Sequence, residues 1–399
     1  MSITAAKGYL AAGLHTGIKK NGKPDLALIA SARLASAAGV FTVNRFKAAP
    51  VAICGERLLS SGGRARAILA TSGCANAMTG SAGRGDAIAW TREVARELAI
   101  EERHVLVAST GAIGTRLRLP LESARRAIHK ASGNLGCTAG AGEAAARAIM
   151  TTDTRLKQAV ARFRDGSTVL TVGGMAQGVG MVAPKMATVL VFVTTDAEVA
   201  PQKLRTALVG AVGPTLNSIS VDGQMSTNDT CIIMANGVAS TRPLSSGGYG
   251  KFCSALKEVL GSLSRQLVTD GEGATRLIEV GVRGARTPAE ARLAARAVGD
   301  SMLVKTAIYG EQANWGRIAQ ALGACEELHF TPSRVAVKVA GHPAIRNGLL
   351  VPVSVAIQKA LHAGLVRVDI DLAAGRHKAH VLTCDLTEGY IRENAGYLS

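Results

Sequence analysis

Near the middle of the chain, Ala183-Pro184-Lys185-Met186-Ala187-Thr188-Val189-Leu190 joins a proline-bearing turn to a β-branched run, Thr188-Val-Leu-Val-Phe-Val-Thr-Thr195. Such a run reads as a buried strand, which requires a sheet to receive it. At its head, the Thr188 hydroxyl can lie against the carbonyl carbon of Ala187. Attack there converts the peptide bond to an ester, and hydrolysis leaves a new chain that begins at Thr188. The new terminus then carries a hydroxyl nucleophile and its own α-amine as base. That amine titrates near pH 8, so a substantial part is neutral at working pH. A threonine that merely opens a strand is the commoner case, so the octapeptide alone does not decide between the two readings.

The surrounding composition favours a layered α/β enzyme. With 399 residues, 47% of them apolar, the chain has enough material for one large unit or two domains. Its 45 glycines and 3% aromatics suit many tight turns between strands and helices. A membrane span is not expected, since no run of 18 or more apolar residues occurs. The opening residues show no charged segment followed by a sustained apolar one, so secretion is not expected either. Seven dispersed cysteines without a CxxC point to a reduced, cytoplasmic protein. No histidine-cysteine cluster of metal-binding spacing is present, and His377 and His380 sit in a polar segment. The net charge of +17 raises nucleic acid as a partner, but the 46 basic residues are scattered and no binding motif accompanies them. Small anionic substrates are steered by such a surface equally well.

Strand-like and helix-like segments alternate. Strands are expected at 66–71, 104–109, 167–172, 230–234, 277–282, 334–339, 365–372 and 379–384. Helices are expected at 86–98, 120–131, 141–150, 201–212, 250–268, 287–298 and 314–322, with Pro120 as a first helical residue and 240–250 as a surface loop. Polar, glycine-bounded clusters close many of these elements: Thr71-Ser-Gly-Cys-Ala-Asn-Ala77, Ser109-Thr-Gly-Ala-Ile-Gly114, Thr151-Thr-Asp-Thr154, Ser226-Thr-Asn-Asp-Thr230, Asp270-Gly-Glu-Gly-Ala-Thr275 and Asn314-Trp-Gly-Arg317. One such cluster is ordinary turn chemistry. Six beside a self-cleaving threonine candidate suggest a site assembled from strand-end loops.

These clusters, with Gly17-Ile-Lys-Lys20, Met150-Thr-Thr-Asp-Thr154, Met186-Ala-Thr188, Leu303-Val-Lys-Thr306, Cys384-Asp-Leu-Thr387 and Asn394-Ala-Gly-Tyr-Leu-Ser399, resemble in order the ornithine acetyltransferase (glutamate N-acetyltransferase) family. The resemblance implies an αββα sandwich like that of certain self-processing aminopeptidases. It implies cleavage between Ala187 and Thr188, an α chain 1–187 and a β chain 188–399 that stay associated, and an α2β2 or larger assembly. It further implies that Thr188 attacks N-acetylornithine, holds the acetyl group as an ester and passes it to glutamate. Thr110 and Gly111 would donate to the oxyanion, through a hydroxyl and a backbone N–H. Thr151, residue 177, Thr188, Glu272, Asn394 and Ser399 would contact substrate. No metal or cofactor is implied, and acetyl-CoA stands as an alternative acyl donor. Asp222, Asn228 and Asp229 read as organisers of their own loop. Lys305, Asn314, Trp315 and Arg317 read as structural supports.

The chain departs from the family pattern in places. Gln177 stands eleven residues before Thr188, where the family usually carries a substrate-binding lysine. Losing one charge-assisted bond there is worth about 1.5–3 kcal/mol. Lys185 could restore the charge. Gln224 and Met225 replace a more polar pair, and Thr71 and Cys74 replace two asparagines. Two other readings therefore stay open: a divergent paralogue acting as acyltransferase or amidohydrolase on another N-acyl amino acid, and a basic scaffold without activity.

Overall fold

In the computed structural model, which describes residues 2–117, 119–183, 189–240 and 242–396, the run after Thr188 forms a strand over Leu190–Thr195 with all six residues buried. Val189, Thr188's neighbour, is described; Thr188 itself, Ala187 and Ser399 lie outside the described residues. The chain divides into two compact units. The larger holds residues up to Asn217 together with Met225–Leu267, and the smaller holds Ser218–Gln224 and Val268–Tyr397.

The larger unit is built on an eight-stranded sheet: β1 (Tyr9–Leu14), β2 (Leu26–Phe41), β3 (Arg64–Cys74), β4 (Val105–Ala112), β5 (Lys157–Asp165), β6 (Thr168–Gln177), β7 (Leu190–Thr195) and β8 (Thr230–Ala235). The order is β4-β3-β2-β8-β7-β6-β5, with β1 paired to β2. The 16-residue β2 makes this continuity possible. Its first half pairs with β1 and β3, its register shifts between Ala30 and Ala35, and its last six residues pair with β8. β7 runs parallel to β8 and antiparallel to β6, so it is paired on both edges. Its freedom from charged residues follows, since a central strand covered on both faces has no solvent side to offer.

Helices α1 (Ala49–Ser60), α2 (Gly80–Glu97), α3 (Leu121–Gly133), α4 (Ala139–Ile149), α5 (Pro201–Val212) and α6 (Ser246–Thr269) accompany the sheet. Helix α4 packs on β1 and β2, α1 on β4, and α5 on β2 and β8. Ile29, Ile68, Leu106, Phe192, Ile232 and Met234 join in one buried cluster between these layers.

The smaller unit has a six-stranded sheet from β9 (Leu277–Ala285), β10 (Ala336–Val339), β11 (His342–Arg346), β12 (Leu349–Leu350), β13 (Leu365–Asp371) and β14 (His377–Cys384), ordered β12-β11-β10-β13-β9-β14. Helices α7 (Pro288–Gly299), α8 (Met302–Tyr309), α9 (Gly316–Gly323), α10 (Val355–Ala360) and α11 (Glu388–Gly396) complete it. The layered α/β architecture anticipated from the sequence is present. Among the described residues no helix is long and apolar enough to cross a membrane.

Two local expectations are corrected. Pro120 is not the first residue of α3 but the flanking one, extended at φ −52° and ψ 143°, with its carbonyl accepting from Ser123 and Ala124. The 240–250 loop is shorter than expected, because α6 begins at Ser246. There the Ser245 hydroxyl accepts the Gly248 N–H at 2.9 Å, a side-chain cap that a Ser-Ser-Gly-Gly sequence conceals.

Candidate active site

Strand β4 ends in Ser109-Thr110-Gly111, paired in parallel with Thr71-Ser72-Gly73 of β3. Gly111 has φ +129°, and a Cβ there would stand 2.4 Å from the Gly73 carbonyl carbon and 2.5 Å from the Cys74 nitrogen. Only glycine fits a backbone so turned and so close to its neighbour. The Thr110 side chain is buried, yet its hydroxyl has no hydrogen-bond partner among the described residues. Thr110 and Gly111 thus come as an adjacent pair, one offering an unspent donor and the other a backbone free of side-chain bulk.

A second pair forms between the loop after α4 and the end of β6. The Gln177 side-chain amide donates to the Thr151 hydroxyl at 3.0 Å, so the structure brings these two expected substrate contacts together. Gln177 is 2% exposed, and its Oε1 is buried without a partner. Asp153 organises the place. Its Oδ1 accepts from Lys157 Nζ at 2.6 Å and from the Gly178 N–H at 3.0 Å, while Oδ2 accepts the Thr151 N–H at 2.9 Å. Lys157 and Asp153 are both buried. This i,i+4 ion pair was missed in the sequence, although Asp153-x-x-x-Lys157 carries the signal. Beside it, Lys19 Nζ donates to the carbonyls of Pro24 at 2.7 Å and Met150 at 2.6 Å. Burial brings the Lys19 ammonium down to about 8, against the pull of Asp25 and Asp153.

The Ser226–Thr230 loop reaches further than expected. Asn228 Nδ2 donates to the Ala75 carbonyl at 2.6 Å, the Ser109 carbonyl at 2.8 Å and the Ser109 hydroxyl at 3.1 Å. Asp229 Oδ1 accepts the Val189 N–H at 3.3 Å. Burial pushes the Asp229 carboxyl well above its ordinary value, against the bond from the Val189 N–H. Asp222, in contrast, does organise its own turn, accepting the Gln224 N–H at 3.1 Å.

Within the smaller unit, Glu272 and Asn394 meet. Asn394 Nδ2 donates to Glu272 Oε2 at 3.0 Å from an exposed position on α11. The turn that carries Glu272 is fastened to the start of this helix, since the Thr387 hydroxyl donates to the Gly273 carbonyl at 2.7 Å. Gly273 has φ +68°, and a Cβ there would stand 2.3 Å from the Tyr390 nitrogen. The Tyr390 hydroxyl donates to Asp222 Oδ2 at 3.2 Å, and burial with the nearby Asp222 and Glu272 charges raises it. Lys305 acts as a support here: it is buried and donates to the Val221 carbonyl and, at 3.3 Å, the Thr383 hydroxyl.

The described residues thus place Thr110 beside Gly111, Gln177 against Thr151, and Asn394 against Glu272. The chain belongs to the ArgJ family, whose model matches residues 10–399. It is 44% identical to the "Arginine biosynthesis bifunctional protein ArgJ" of Caldanaerobacter subterraneus subsp. tengcongensis, over 99% of this chain and 98% of that protein. The protein of the same name from Thermosynechococcus vestitus is 43% identical over 99% and 97%. Among solved structures, the arginine biosynthesis bifunctional protein argJ of Bacillus halodurans is similar at 37% identity and a TM-score of 0.50, covering 52% of this chain and 98% of its own.

Proposed function

We propose that this chain is a self-processing acyltransferase of arginine biosynthesis that moves an acetyl group from N-acetylornithine to glutamate through an ester on Thr188. A role in arginine biosynthesis is supported by membership of a family whose members are named arginine biosynthesis bifunctional proteins and match this chain over nearly their whole length. Two separate amino-acid substrates make an exchange in two steps the economical chemistry. In the first, Thr188 Oγ bonds to the acetyl carbon, the C–N bond to ornithine breaks, and the hydroxyl proton leaves on the departing amine. In the second, the amine of glutamate displaces Thr188 Oγ, which regains a proton from that amine. Thr110 and Gly111 are the oxyanion donors in this reading. Thr151, Gln177, Glu272, Asn394 and Ser399 are the substrate contacts in this reading.

The observation that carries the reading is the Thr110-Gly111 pair: an unspent hydroxyl beside a glycine that no other residue can replace. Removing one oxyanion donor typically costs about 10²–10³ in rate. The half-length of the solved Bacillus halodurans chain accords with cleavage before Thr188, since either fragment would be near half of this chain. No step needs a cofactor, and an acetyl-CoA donor would acylate the same hydroxyl. Seven free thiols suit a reducing cytoplasm. An α2β2 or larger assembly accompanies the processed form in this reading.

The test is an assay with N-acetylornithine and glutamate. Formation of N-acetylglutamate and ornithine in equal amounts, abolished by Thr188→Ala, is the expected result. Fully cleaved protein that makes no acetylglutamate would reject this donor and acceptor. Gln177 defines the sharpest variant: Gln177→Lys should tighten binding of the carboxylate substrate by about one power of ten.

A further inference from the structure

We propose that Asn228 and Asp229 are positioning residues that hold in register the β4 end bearing the proposed oxyanion donors and Val189, the residue after the proposed nucleophile, an inference that rests on the function proposed above. Asn228 holds the Ser109 carbonyl, and the Ser109–Thr110 peptide plane fixes Thr110 in turn. It also holds the Ala75 carbonyl, so the ends of β3 and β4 are gripped by one amide. The Asn228 Oδ1 is itself fixed by the Thr227 hydroxyl at 2.6 Å, which leaves its two N–H donors one orientation.

The next residue grips the other partner. Asp229 Oδ1 takes the Val189 N–H at 3.3 Å, and the Thr230 N–H donates to the Val189 carbonyl at 2.9 Å. Val189, the residue directly after the nucleophile, is therefore held at both of its backbone polar groups. The Asp229 carbonyl accepts the Thr42 N–H at 3.0 Å and the Thr227 carbonyl accepts the Ala48 N–H at 2.9 Å, which ties the loop to the end of β2 and the start of α1. Two adjacent residues thus connect β4, which carries the oxyanion donors, to β7, which follows the nucleophile. Catalysis by an ordered pair is sensitive to such spacing, and a misplacement of about 1 Å costs on the order of 10²-fold.

The experiment measures kcat and KM for acetyl transfer, with the rate at which newly made chain is cut, in Asn228→Ala, Asn228→Asp, Asp229→Ala and Asp229→Asn. Both alanine variants are expected to lose about 10²-fold in kcat and to slow cleavage, with KM within about threefold of the parent. Asp229→Asn should recover at least about tenfold of that loss, because its amide oxygen keeps the acceptor for Val189. Asn228→Asp should recover none, since a carboxylate would face two carbonyls. Alanine variants with kcat within about threefold of the parent would overturn the inference, as would an Asp229→Asn no better than Asp229→Ala. If Asn228→Ala fails to fold, the two Asp229 variants decide alone. A parent that neither cuts itself nor transfers acetyl would sink the proposed function, whereas an active parent with indifferent variants would sink only this inference.

Discussion

At Gly111 a single hydrogen atom separates a working backbone from a collision. A methyl group placed there would press on Gly73 and Cys74 backbone atoms, and φ +129° is strained for any side chain. Gly111→Ala should cost about 1–3 kcal/mol from backbone strain alone, and should lower kcat more than it raises KM. Chemical denaturation alongside kinetics checks both parts; a variant with parental stability and kcat would contradict the geometry. Asp229 gives a pH signature. Its carboxyl is raised in the folded chain above an unfolded value of 3.8. The folded state therefore keeps a proton that the unfolded state releases, so this group's contribution is full below that value and declines as pH rises. Asp229→Asn has no such proton to lose. Its unfolding midpoint should gain on the parent as pH rises from about 4 to about 7, and a difference that stays flat would contradict a buried neutral acid.

At the scale of elements, the Asp153–Lys157 pair fastens the loop after α4 to the end of β6. Lys157→Met leaves a buried carboxylate without its cation and should destabilise the protein by about 3–5 kcal/mol, part of which the Asp153→Asn/Lys157→Met double variant should recover. A loss below about 1 kcal/mol would mean that the pair is solvated. The sequence disclosed elements unevenly. Helix α5 matches its expected bounds because Pro201 marks its start. Strand β2 was not seen, since Leu-Ala-Leu-Ile-Ala-Ser-Ala-Arg is rich in small residues and poor in alternation. Its identity comes from pairing with β1, β3 and β8, a tertiary effect outside any local window. The site followed the same rule. The sequence singled out Thr110, Gly111 and Thr151 by the family resemblance and Gln177 by its departure from it, while the reach of Asn228 to Ser109, 119 residues away, was not visible there. Local reasoning assigned Asn228 to its own loop because its distant partners carry no sequence mark.

For the molecule as a whole, sheet order governs what cleavage can do. A cut before Thr188 would assign β1–β6 to one fragment and β7 and β8 to the other, yet β7 and β8 lie between β2 and β6. The second fragment would thus supply inner strands bonded on each side to strands of the first. Cleaved protein should elute as one species containing both fragments and separate only in denaturant; separation in plain buffer would contradict this pairing. The most direct measurement of the central claim is the mass of each fragment after brief exposure to N-acetylornithine without glutamate. The expected result is one acetyl increment on the fragment that begins with Thr188, removed when glutamate is added. An active protein whose backbone is uncut between Ala187 and Thr188, or whose acetyl group resides on the other fragment, would contradict the account.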